Sequence, residues 1–219
     1  MWLSIVWLSI VALCPGCGGS TGTAGKSGLG ELSAIKGVVT LTHEGKPVEI
    51  RPGQTQQVAA GDTVRTGPDS EAVVRSGRRV QFLDHDSELR VEAPPTTAPE
   101  GGRVHLLKGL ATFLLPPSPD KKVQFEAVSN SVVAAVKGTI FCMQATDGGA
   151  EVTVVEGEVE VRLEGSSAAT PPAVARPQER VVARAGNLAT LKLSEQEFGA
   201  LRTEALAKKA RLGVGISTY

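Results

Sequence analysis

Four places in the 219-residue sequence bring together side chains able to do chemistry. The first, Cys14-Pro15-Gly16-Cys17, has the C-x-x-C spacing of thiol–disulfide exchange. That chemistry needs a strand before the motif and a helix N-terminus after it to lower a thiol pKa. Here an uncharged apolar run, Trp2 to Leu13, comes before and a Gly/Ser/Thr tract after, so no redox centre is expected. The second, Gly25-Lys26-Ser27, is the ending of a phosphate-binding loop, but Ser20 stands where that loop needs its first glycine. The third, Asp84-His85-Asp86, offers two carboxylates and an imidazole. In a strand His85 points away from both aspartates and in a turn all three are solvated, so no metal site is expected. The fourth is Cys142, which follows Phe141 in an apolar stretch and reads as a small buried hydrophobe. His43 precedes a hairpin turn and His105 lies between Val104 and Leu106, each alone. With no nucleophile beside a base and no paired carboxylates, no catalytic residue and no cofactor are expected.

The N-terminal run is far too short to span a bilayer, which needs about 20 residues, but it suits the apolar region of an export signal. Its end resembles a lipobox, the cleavage site of bacterial lipoproteins, with Gly16 before the cut and Cys17 as the lipid-bearing residue. A cut before Cys14 would place bulky Leu13 in the small position. The resemblance implies a signal peptide over 1–16, a flexible tether over 17–30, a membrane contact through Cys17, and Cys142 as the one thiol left, without a disulfide partner.

The 23 basic and 23 acidic side chains cancel, so no overall field draws the chain to nucleic acid. From Glu31 onward apolar residues recur at every second position, as at Val39 and Leu41, Val123, Phe125 and Ala127, Val152 and Val154, and Val159, Val161 and Leu163. That is the period of half-buried strands. Turn signals such as Arg51-Pro52-Gly53, Gly67-Pro68-Asp69, Ser76-Gly77 and Asp147-Gly148-Gly149 separate them. The pattern predicts an all-β domain over 31–193, an irregular β-solenoid or a rolled β-sandwich of many short strands. Gly37, Gly109, Gly138 and Gly157 each stand just before an alternating strand, where a positive φ or a close backbone approach is expected. The stretches 94–102 and 165–172 lack periodicity and read as exposed loops.

Ser194 and Glu197 form the S-x-x-E of a capping box, flanked by Leu193 and Phe198 as a hydrophobic staple. An amphipathic helix is therefore expected over 194–213, with Lys208, Lys209 and Arg211 in its last turn and Gly213 ending it, then a tail over 214–219. Phe198, Leu201, Ala205 and Leu212 fall on one face, for packing on the domain or, alternatively, for recruiting a partner.

The order of these features is similar to the FecR domain, the extracytoplasmic module of bacterial iron-dicitrate sensors and of many stand-alone envelope proteins. The residues that carry the resemblance are Gly61-Asp62 through Gly67, then Ser70, Ala72 and Val74. They continue with Leu107 to Phe113 around Gly109, with Gly138-Thr139-Ile140-Phe141, and with Val152 to Val161 around Glu156-Gly157. In these, Gly61, Asp62, Gly67, Gly109, Gly138, Thr139, Phe141, Glu156 and Gly157 are expected to serve the frame of the fold. The resemblance implies a non-catalytic signalling or binding module on the periplasmic side of the envelope, at the outer rather than the inner membrane, with an envelope protein or receptor as partner. A structural lipoprotein that binds envelope glycan or an envelope complex is the alternative. The helical sigma-factor-binding region and membrane span of FecR regulators have no counterpart in the sequence, so the chain is not itself expected to be an anti-sigma factor.

Overall fold

The computed structural model describes residues 29–96, 101–117, 125–166 and 170–213. The signal-like run, Cys14, Cys17, Gly25-Lys26-Ser27 and Val123 lie outside the described residues. Eighteen strands and one helix form in them. The first strands are β1 (Gly30–Lys36), β2 (Val39–His43), β3 (Lys46–Ile50), β4 (Thr55–Val58), β5 (Thr63–Thr66) and β6 (Glu71–Ser76). Next come β7 (Arg79–Leu83), β8 (Glu88–Glu92), β9 (Gly102–Lys108), β10 (Leu110–Leu114), β11 (Phe125–Ser129) and β12 (Val132–Val136). The last are β13 (Ile140–Thr146), β14 (Gly149–Glu156), β15 (Val159–Leu163), β16 (Ala173–Ala175), β17 (Glu179–Arg184) and β18 (Asn187–Lys192), before helix α1 (Glu195–Arg211).

The strands make two nine-stranded sheets. One has the order β18-β17-β14-β13-β10-β7-β6-β1-β4 and the other β16-β15-β12-β11-β9-β8-β5-β2-β3. The chain crosses between them every one or two strands, so both sheets grow together along one direction. Of the two architectures open from the sequence, this is the rolled sandwich. Pairing is antiparallel except between β9 and β11, which run parallel because β10 is spent in the opposite sheet between them.

Two-residue hairpins fix the register where the sequence signals turns. Glu44 and Gly45 both have positive φ between β2 and β3, the backbone of a type I′ turn whose twist matches its strands. Alternation then delivers one face of each strand to a single core shared by both sheets. Leu32, Val74, Leu83, Phe113, Phe141 and Val154 come from one side, and Leu41, Val64, Leu106, Val136 and Val161 from the other. At its centre Phe113 stacks on Phe141 at 4.6 Å between centroids.

A second, smaller cluster lies on the outside of the β18-to-β4 sheet, where Val73, Val80, Phe82, Leu114, Ile140 and Val155 are buried beneath Ala205 of α1. The helix starts as expected: the Ser194 hydroxyl accepts from the Glu197 N–H, and the Glu197 carboxylate accepts from the Ser194 N–H. It packs on the domain. Its buried residues are Ala205 and Lys208, while Phe198, Leu201 and Leu212 are only half-buried. The expected apolar face packs through Ala205 and Leu212, joined by Leu206, and a lysine is buried among them because the sheet offers it a carboxylate as well as a hydrophobic floor.

Candidate functional site

The stretch that carried the sequence resemblance folds into a hydrogen-bonded frame linking the two sheets. Gly61 has φ +97° and donates to the Val91 carbonyl. The buried Asp62 carboxylate accepts from the Ala59 N–H at 2.8 Å and meets His43 Nδ1 at 2.7 Å. Thr66 Oγ1 donates to the Asp84 carbonyl at 2.6 Å and accepts from the Ser87 N–H at 2.9 Å. The Gly67 carbonyl accepts from both Ser70 and Asp86. These bonds tie the turn before β5 to β8, and the turn after β5 to the turn after β7.

The four glycines that precede strands, Gly37, Gly109, Gly138 and Gly157, all have positive φ. A buried or partly buried hydroxyl meets the residue that follows three of them. Ser70 Oγ accepts from Val38 N, Ser87 Oγ accepts from Leu110 N, and Thr139 Oγ1 donates to the Glu158 carbonyl. At Gly37 and Gly109 a Cβ would fall on the serine hydroxyl itself. At Gly138 it would come within 2.4 Å of Pro117 Cα. A glycine is therefore required at these places by contact as well as by φ. Phe141 is fully buried, and Glu156 is half-buried with Lys209 of α1 at 3.9 Å.

The third candidate cluster is pulled apart. Asp84 is buried, with Lys208 Nζ on its two carboxylate oxygens at 2.8 and 2.9 Å, while His85 and Asp86 are exposed. The expectation that a turn would leave all three solvated fails at Asp84, because α1 covers that end of β7. Lys208 also reaches Thr112 Oγ1 at 3.3 Å and Glu204 at 2.8 Å, and it sits 4.8 Å above the Phe82 ring. Burial works against the Lys208 ammonium, but the hydrogen bond and charge of Asp84, then Glu204, outweigh it and hold its pKa above the ordinary lysine value. Burial pushes the Asp84 carboxyl above its ordinary value, against the hydrogen bond and charge of Lys208 and with the repulsion of Glu204 and Glu71. Beside them the buried Cys142 thiol, 3.6 Å from Thr112 Oγ1, is raised by desolvation and is held in its inert, protonated form. No sequence motif marked Lys208; its position on the same helical face as Leu201, Ala205 and Leu212 was the available signal.

The opposite sheet has no helix on its outer face among the described residues and closes that face with ion pairs. Arg103 meets Glu92, Glu126 and Glu164, and Arg162 shares Glu126. Hydrogen bonds and charge from Glu92 and Glu126 hold the Arg103 guanidinium above its ordinary pKa against the opposing effect of burial. Between the sheets a cavity of about 40 Å³ is bordered by Val58, Val74, Gln81, Val91, Arg103 and Phe125 among others, room for a few waters. Among the described residues no three His, Cys, Asp or Glu side chains gather as metal ligands. No helix of the described residues is long and apolar enough to cross a membrane.

Comparison with known proteins gives a family match over part of the chain and a similar fold. The model of the FecR protein family matches residues 62–160, from just before β5 into β15. Two crystal structures of a candidate anti-sigma factor from Parabacteroides distasonis are similar in fold, at 19% and 20% identity with TM-scores of 0.51 and 0.50. The first covers 64% of this chain and the second 63%, and the chain spans 63% and 62% of theirs, under two thirds of their length. No curated protein sequence matches the chain. The turns and strand starts that suggested the resemblance, from Asp62 to Glu160, thus lie inside the matched segment, and residues 62–160 are a FecR-like segment of this chain.

Proposed function

We propose that this protein is a non-catalytic signalling module of the bacterial envelope, held by lipid on Cys17 on the periplasmic side, at the outer membrane, and engaging an envelope receptor protein. The observation that carries the reading is the FecR match over 62–160. Within it Asp62, Thr66, Ser70 and Ser87 are engaged with the backbone of neighbouring turns, and the glycines with close backbone packing. These residues of the matched segment serve the frame, and partner recognition falls to the surfaces the frame presents. The anchor rests on the apolar run to Leu13 and on Gly16-Cys17, and the division into signal (1–16), tether (17–30), domain (31–193), helix (194–213) and tail (214–219) follows from it.

Two measurements test the proposal. Metabolic labelling with a fatty acid marks the wild type and Cys14→Ala but not Cys17→Ala; labelling that follows Cys14 instead moves the anchor. A tagged protein recovered from membranes brings down a dedicated receptor. Recovery with the cell-wall fraction and no receptor replaces signalling by a scaffold role.

A further inference from the structure

Each sheet of the sandwich has two outer strands, and an outer strand presents unpaired backbone groups that invite another chain unless something blunts them. Three of the four are blunted. β3 carries Pro47 between charged Lys46 and Glu49; β4 has only four residues and is polar at Thr55, Gln56 and Gln57; β16 has three residues and is followed by Arg176-Pro177. β18 is different: six residues without proline, in unbroken register with β17, and with Leu191 at 52% the most exposed of the large apolar side chains.

The pairing with β17 determines which backbone groups of β18 remain free. Leu193 N donates to the Gln178 carbonyl, and the register runs Arg180↔Leu191, Val182↔Ala189 and Arg184↔Asn187. In an antiparallel ladder bonded positions alternate, so the odd-numbered residues of β18 turn their N–H and C=O toward β17. Leu188, Thr190 and Lys192 turn theirs outward, and among the described residues no strand takes them. Side chains alternate as well. Leu188 packs on the main core and so marks the inner face, which places Ala189 and Leu191 on the outer one.

We infer that β18 is a self-association edge, where two copies of this chain join their sheets by antiparallel β18–β18 pairing about a twofold axis. Two rules select the register. Paired residues share a face of the sheet, and the outward-bonding residues must oppose each other. Of the registers that satisfy both, the one centred on Thr190↔Thr190 uses all three outward-bonding residues of each copy, with Leu188↔Lys192 on either side. It also sets each exposed Leu191 against the partner's Ala189 at a non-bonded position, where side chains approach most closely. No like charges oppose each other in it. β18 lies outside the segment matched by the family model, so the inference concerns this chain and not the family.

Sedimentation equilibrium of the purified full chain tests it. The expected result is concentration-dependent dimer at twice the monomer mass, converted to monomer by Thr190→Pro and weakened at least tenfold by Leu191→Lys. Proline at 190 removes only an outward N–H, so the circular dichroism spectrum, and the melting temperature at concentrations where the wild type is monomeric, stay at the wild-type values. Register is read separately, with Cys14 and Cys17 replaced by alanine: Ala189→Cys mixed with Leu191→Cys gives a disulfide-linked dimer on oxidation, and neither variant gives one alone. A wild type that stays monomeric at the highest concentration reached overturns the proposal, including where the edge instead captures a segment of another envelope protein. A dimer untouched by both edge variants overturns it equally.

Discussion

Lys208 is the point at which the helix is pinned to the sandwich, and truncating it tests how α1 is held. Lys208→Met keeps the length and the apolar stem but removes the charge. What remains is Asp84, whose side chain is only 12% exposed and which has lost both of its hydrogen bonds to the ammonium. Leaving one member of such a pair buried and unpaired costs about 3–5 kcal/mol, and loss of the cation over Phe82 adds roughly 1 kcal/mol or less. Glu204, 56% exposed, is a minor partner, so Glu204→Gln costs only about 0.5 kcal/mol. The double variant Asp84→Leu/Lys208→Met removes both charges and falls within roughly 1–2 kcal/mol of wild type, since buried pairs exchange well for apolar groups of similar volume. Urea unfolding followed by circular dichroism measures these three variants and Asp84→Leu alone, with a melting shift of about 10 °C expected for Lys208→Met. Lys208→Met or Asp84→Leu alone costing under about 1 kcal/mol, or the double variant costing the sum of those two, would refute the buried-pair account.

Further outcomes follow from the same geometry. The raised pKa of Lys208 means its contribution is complete below the unfolded value of 10.5 and is lost as pH rises through its higher folded value. The raised pKa of Asp84 likewise means mild acid does not release α1 through that carboxyl, so tryptic cleavage of the helix rises in strong alkali and not at weakly acidic pH. Glu197 behaves oppositely: its pKa is lowered by Ser194, so the capping box contributes above the unfolded value of 4.5 and is lost as pH falls through the lower folded value. Ser194→Ala costs about 1 kcal/mol in urea unfolding at neutral pH. Gly138→Val, forced to φ +107° and against Pro117, costs on the order of several kcal/mol or abolishes folding; thermal melts rank it beside Lys208→Met and well below Ser194→Ala in stability. The Cys142 thiol reacts with an aromatic disulfide reagent only in denaturant, and rapid reaction of the folded protein would contradict its burial.

Much of this frame is legible in the sequence because it is local. A period of two fixes which residues face the core whatever sheet a strand joins, and Gly before a strand announces a positive φ that no distant contact needs to explain. The capping box at Ser194 and Glu197 is likewise contained within four residues. The Asp84–Lys208 pair spans 124 residues, and no local rule joins them. Read alone, Lys208 is a last-turn charge that suits the helix dipole, and Asp84 is one of three polar residues in a turn. Two long-range cues were nevertheless present. Ala72-Val73-Val74 and Phe113-Leu114-Leu115 interrupt the apolar–polar alternation with continuous apolar runs, the mark of strands covered on both faces. Lys208 interrupts the apolar face made by Leu201, Ala205 and Leu212. A charge on a packed helical face requires a buried counter-charge on whatever it covers.

The two outer faces of the sandwich are thus completed by different means. On one, apolar residues at Val73, Phe82, Leu114 and Ile140 need a cover, and α1 supplies it. On the other, Arg103 and its three carboxylates satisfy one another across β8, β9, β11 and the turn after β15, and the face stays polar without a helix. The covered face depends on a segment that follows the family-matched region and adjoins β18 directly, with two residues between the strand and α1. Pairing at β18 would therefore act on the strand that carries the helix. The Ser194 cap and the Lys208 pin act at opposite ends of α1, and around the pin Arg211 meets Glu71 and the Leu212 carbonyl accepts from Arg75, so the ties to the covered sheet gather at the C-terminal end with Lys208 the most buried of them. Loss of the pin should free the C-terminal turns while the capped first turn stays formed. Amide exchange distinguishes this from whole-helix release: in Lys208→Met the residues around Ala205 to Arg211 should lose protection before Phe198, and equal loss along α1 would show that the cap contributes nothing independent of docking.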